Sequence, residues 1–128
     1  MEENYFDALK KILEKDKRYT WEAYYFLWRA LAYTQKRLDR RGHVTGRELL
    51  EGIKELALER FGPMAKRVFE SWGVHSTDDW GEIVFALVNA EVLGKTADDS
   101  KEDFKGVYDF EEVFVKGYKY QLEQERKD

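Results

Sequence analysis

The sequence predicts a mainly α fold, a compact bundle of five to six helices forming one domain over residues 1–128. Three observations point there. Apolar residues recur at helical spacing in several separate segments, glycines and capping residues punctuate those segments, and 43% of the chain is apolar, with four Trp, eight Tyr and eight Phe to fill one core.

Tyr5, Phe6, Leu9, Ile12 and Leu13 define a first helix over about 3–16, closed by the charged run ending at Arg18. Thr20 is placed to cap a second helix reaching Asp39, whose heaviest apolar stripe is Trp21, Tyr24, Tyr25, Trp28, Leu31 and Leu38. Thr45-Gly-Arg-Glu48 has the spacing of a capping box, in which each side chain satisfies the other's backbone N–H, and it opens a third helix running to Gly62. Pro63 suits the first position of a fourth helix that Gly73 ends. Ser76 or Thr77 caps a fifth over about 78–93, where Asp78 and Asp79 complement the helix dipole. The expected core gathers Trp28, Leu31, Leu50, Ile53, Trp72, Ile83, Val84 and Leu87.

Beyond Gly94 the period changes. Leu93-Gly-Lys-Thr96 and Val107-Tyr-Asp-Phe110 flank a charged loop, the order expected of a small β-hairpin near 94–110 in a winged-helix-like arrangement; a plain helical bundle is the alternative. A last helix is expected over about 110–124.

Several chemistries are disfavoured. The chain has no Cys, which removes disulfides and thiolate sites, and no apolar run near the roughly 18 residues of a membrane span. No signal-peptide pattern precedes Leu9, so the cytoplasm is the expected location. Asp98, Asp99, Glu102, Asp103 and Asp109 offer hard oxygen ligands, but a calcium loop counted from Asp98 needs Gly where Asp103 stands. His43 and His75 lie too far apart for a local zinc pair, and Ser71, Ser76 and Ser100 stand in no nucleophile motif. No metal, cofactor or catalytic group is therefore expected, and the chain reads as a non-enzymatic protein-interaction or regulatory module.

Charge suggests where such a module would make contact. Residues 1–75 carry 15 basic and 12 acidic side chains, whereas residues 76–115 carry 3 and 11. Phe26, Arg29, Tyr33, Lys36, Arg37 and Arg40 share one face of the second helix, with Arg41 just beyond, and form the candidate binding surface; the alternative is that Phe26 and Tyr33 pack on the first or last helix and the arginines are only solvated. Its expected partner is an acidic protein surface, including segment 98–112 of the same chain or of a second copy; a single-stranded nucleic acid stacked on the aromatics is the alternative, disfavoured by the net charge of −4.

The strings His43-Val-Thr-Gly-Arg-Glu-Leu-Leu-Glu-Gly-Ile53, Phe61-Gly-Pro-Met-Ala65, Gly81-Glu-Ile-Val-Phe85 and Val107-Tyr-Asp-Phe110 resemble the Minf family of uncharacterised bacterial proteins, over about Tyr19 to Phe114. The resemblance implies a free-standing bacterial protein. That family has no assigned activity, so it implies no role for any residue.

Overall fold

The computed structural model describes residues 2–40, 42–94 and 100–117. Five α-helices follow in order: α1 (Glu2–Lys15), α2 (Trp21–Arg37), α3 (Gly46–Phe61), α4 (Ala65–Ser71) and α5 (Thr77–Asn89). A 3₁₀ turn over Gly62–Met64 joins α3 to α4, a second covers Lys101–Phe104, and a π-helical turn spans Glu111–Lys116.

The local signals that set these boundaries have physical partners. Thr45 Oγ1 accepts the Glu48 N–H at 3.1 Å while Glu48 Oε1 accepts the Thr45 N–H at 2.8 Å, so the capping box is complete. Pro63 lies in the first 3₁₀ turn rather than opening α4 directly. Thr20 and Ser76 occupy the N-cap positions of α2 and α5 in extended backbone, without the side-chain bond expected of them. At α5 Asp79 serves instead: its Oδ2 accepts the His75 N–H at 2.8 Å and its Oδ1 accepts the Tyr19 hydroxyl at 2.5 Å.

The helices α2 and α3 make the central pair. Gly52 allows their approach, because a Cβ there would stand 1.7 Å from Thr34 Oγ1. Ala23, Leu27, Ala30 and Thr34 line the buried side of α2, and the small Ala23, Ala30 and Thr34 let its backbone come close to its neighbours. Phe69 of α4 sits at the centre, with the rings of Phe26, Trp72, Trp80, Phe110 and Phe114 around it at 5.0–5.7 Å. Leu50, Ile53, Ile83 and Leu87 are fully buried, as the apolar periods of α3 and α5 predict.

The expected stripe of α2 is corrected. Tyr24 is buried, but Trp21, Tyr25, Trp28 and Leu38 are exposed, and Phe26, expected on the opposite surface, is core. Helices α3, α4 and α5 all pack against the side carrying the small residues, where helices can come closest, and this leaves the bulky rings outside. Leu31, Trp72 and Val84 are half-buried at the margin of the core.

The winged-helix-like hairpin is also corrected, since the described residues contain no strand. The backbone N–H groups that a strand would pair go to the start of α5: Gly106 donates to Asp78 Oδ1 at 3.0 Å and Val107 to Thr77 Oγ1 at 3.0 Å. Phe104 drops into a slot between α3 and α5, where a Cβ on Gly46 or Gly81 would meet its ring or Cβ at 2.9 and 2.8 Å. The expected terminal helix is described only as far as Gly117; its remainder lies outside the described residues.

Candidate functional site

The proposed basic-aromatic surface of α2 does not form one open face. Phe26 is 6% exposed, packed on Phe61, Phe69, Trp72 and Trp80, and cannot stack on a ligand. Tyr33 is half-buried against the core, and neighbouring Glu55 and Glu59 add to the burial that raises its pKa. Arg37 pairs with Glu55, and Arg40 with Glu48 at 2.7 Å, so the first clamps the end of α2, and the second the turn after it, to α3. Lys36 is exposed at the last turn, and Arg41 lies outside the described residues. Only Arg29 keeps the expected combination of an exposed cation beside an aromatic ring, but the ring is that of Tyr25, its Nη1 donating to the Tyr25 hydroxyl at 3.2 Å.

The acidic segment likewise pairs locally. Glu102 binds Lys105, Glu112 binds Lys116, and Asp103 accepts the Ser100 N–H in a capping box of its own. Glu82 of α5 draws Lys101 to 2.9 Å and Arg18 to 3.2 Å, and these two cations hold its carboxyl below the usual range. Among the described residues, no ion pair joins this segment to the arginines of α2; Asp98 and Asp99 lie outside them.

What the fold does assemble is an aromatic ridge. Phe6 meets Tyr5 at 6.0 Å, Tyr5 meets Trp28 at 5.5 Å, Trp28 meets Tyr25 at 6.2 Å and Tyr25 meets Trp21 at 6.2 Å. Phe6, Trp21, Tyr25 and Trp28 are 57%, 54%, 36% and 40% exposed. The buried member of the row, Tyr5, donates its hydroxyl to the Tyr24 carbonyl at 2.9 Å and thereby fixes α1 on α2; burial pushes its pKa up to about 12. Spacing of i, i+4 and i+7 sets Trp21, Tyr25 and Trp28 along one side of α2, the same spacing that suggested a core stripe. Sequence reasoning found these residues and gave them the wrong surroundings.

At its Trp21 end the ridge borders a cleft of about 160 Å³ between α2 and α3. Trp21, Tyr25 and Phe61 contribute its sides, and the core residues Phe26, Leu56 and Trp72 line it further. Its charged residues are Glu22, Arg29 and Arg60. A larger cavity of about 310 Å³ lies between the end of α2, the start of α3 and α5, lined by Leu31, Val44, Leu49, Val88, Leu93 and Phe104 with Gln35 and His43. It reaches Gly42 and Gly94, each adjacent to residues outside the described set.

The raised hydroxyl pKa values elsewhere have structural causes. Burial raises Tyr108, whose hydroxyl donates to the Leu50 carbonyl at 2.6 Å, and burial together with the Asp79 bond raises Tyr19. No group of three His, Asp or Glu side chains suited to a metal ion occurs among the described residues, and no described helix is long and apolar enough to cross a membrane. No protein-family model, curated protein or solved structure matches the chain.

Proposed function

We propose that the protein is a non-enzymatic interaction module whose contact surface is the aromatic ridge of α1 and α2. The observation that carries this reading is the ridge itself: Trp21, Tyr25 and Trp28, in ring contact along α2, and Phe6, linked to them through the buried Tyr5, stand in solvent on a molecule that buries Phe26, Phe69, Trp80, Phe104, Phe110 and Phe114 within its core. Contiguous exposed aromatic area of this kind marks protein contact surfaces, and Trp and Tyr supply a disproportionate share of binding energy in them. A stretch of helix with ordered rings also loses little conformational freedom on docking. The contact is with another protein, or with a second copy of this one, and a cytoplasmic bacterial setting accords with the absence of cysteine and the family resemblance.

Site-specific photo-crosslinking in the native cell tests the reading. A benzophenone side chain at position 28 is expected to give a discrete protein adduct that the same group at Lys105, exposed near the opposite end of α3, does not. Equal adducts at both positions, or none at position 28, would refute it. Sedimentation of the wild type and of Trp21→Ser/Trp28→Ser then separates self-association, which the double substitution abolishes, from a heterologous partner.

A further inference from the structure

The cleft at the end of the ridge constrains what that partner presents. This step rests on the ridge being the contact surface. Its volume of about 160 Å³ is close to the roughly 150 Å³ in which a buried apolar cavity holds a single benzene ring. Trp21, Tyr25 and Phe61 offer ring faces and edges to an inserted side chain, while Phe26 and Trp72 beneath them are held by the core. The site is thus shaped before a ligand arrives.

Charge selects further. Arg29 and Arg60, from facing helices, both contribute to the cleft and both are exposed, and among the described residues neither is paired with a carboxylate. Nearby arginines do have such partners, Arg37 at the end of α2 with Glu55 and Arg40 just beyond that end with Glu48. Among the described residues Glu22 is the single carboxylate lining the cleft, and the three charged side chains there leave a local excess of one positive charge. The Arg29 guanidinium is also oriented, 5.9 Å above the Tyr25 ring and bonded to its hydroxyl, so part of the cost of fixing it is met in the free protein.

We infer that the cleft receives a phenyl-sized or branched aliphatic side chain from a partner peptide, with an Asp or Glu next to that anchor meeting Arg29 and Arg60. A single-stranded nucleic acid fits less well. Neighbouring rings of the ridge are tilted by 48° and 61° rather than parallel, and two arginines offset by Glu22 do not make a basic track for successive phosphates.

The test is selection of a displayed random twelve-residue peptide library on the intact protein, followed by anisotropy titration of the best peptide. Enriched peptides are expected to carry an aromatic or leucine anchor with an acidic residue within two positions. Their affinity is expected to fall at least about tenfold for Arg29→Glu/Arg60→Glu, as for loss of a well-placed charge pair, and similarly when the anchor becomes Ala. Both arginines are exposed, so circular dichroism of the double variant is expected to match the wild type. Peptides that lack carboxylates, or that weaken with Trp28→Ser and not with the arginine double variant, would overturn this inference and leave the ridge standing as the contact surface. Absence of any enriched peptide would overturn it as well, and joined to absence of an adduct at position 28 it would remove the ridge too. Tighter binding of a twenty-nucleotide oligo(dT), abolished by the double variant, would overturn it in favour of nucleic acid.

Discussion

Phe26 and Trp28 lie two residues apart on α2, yet one is 6% exposed and the other 40%. Their hydrophobicity does not distinguish them. The difference is in what the other described elements bring opposite each: Phe26 faces α3, α4 and α5 through Phe61, Phe69 and Trp80, whereas among the described residues Trp28 meets from outside its own helix the ring of Tyr5 on α1. Burial on a helix with two apolar faces is therefore decided by how closely neighbouring backbones can come, which favours the face with Ala23, Ala30 and Thr34 over the face with the larger rings.

Substitutions on the two faces break or sharpen this contrast. The largest expected effect is at Phe26→Ala, about 3–5 kcal/mol for emptying a core aromatic site, against about 1 kcal/mol or less at Trp28→Ala. Urea unfolding measures both, and equal losses would show that the two faces are equally structural. Next comes Gly52→Ala, which places a methyl 1.7 Å from Thr34 Oγ1 and is expected to cost about 1–3 kcal/mol or more through overpacking of the α2–α3 contact. A loss under about 0.5 kcal/mol, the usual bound for an inert surface change, would mean that Thr34 can move aside and that this contact does not select the buried face.

Smaller effects test the polar atoms held by that packing. Tyr108→Phe removes the bond to the Leu50 carbonyl and is expected to cost about 1 kcal/mol, whereas Tyr24→Phe, whose hydroxyl is buried with no partner among the described residues, is expected to be neutral or mildly stabilising. Thermal melts of the two variants should move in different directions or by clearly different amounts. The smallest effect is at Glu82, which Lys101 and Arg18 hold below its ordinary value of 4.5. Because the folded value is the lower one, these contacts add stability above about pH 4.5, and that contribution is lost as pH falls through the folded value. Glu82→Gln is thus expected to lower the unfolding free energy measured in urea near neutral pH, by about 1 kcal/mol or less for so wet a cluster, and to converge on the wild type in stronger acid. A variant effect that persists in acid would point to packing of the side chain instead of its charge.

Element boundaries were legible wherever a local rule acts. Thr45 and Glu48 state the start of α3 in four residues, and the apolar period of α5 identifies Ile83 and Leu87 as core. The choice of face on α2 was not legible, because a 3.6-residue period identifies stripes without saying which one meets the bundle. A second signal was present in Ala23, Ala30 and Thr34 at i, i+7 and i+11, a row of small residues whose Thr34 meets Gly52. Segment 94–110 misled for a different reason: Gly106 and Val107 satisfy their N–H groups on α5 side chains about 30 residues earlier in the chain, a partnership that no local pattern records. The cleft was invisible for the same reason, since Arg29 and Arg60 converge only after α2 and α3 pack.

The order of these parts along the chain bears on the protein's birth. The whole ridge lies within residues 5–28, while the rings that cover Phe26 come from positions 61–80. At translation rates of about 5–20 residues per second, the α1–α2 hairpin is made roughly 2–10 seconds before its last covering ring at Trp80. For that interval the face of α2 that Phe61, Phe69 and Trp80 later cover lacks those rings on the nascent chain, and the hairpin is apolar on two sides.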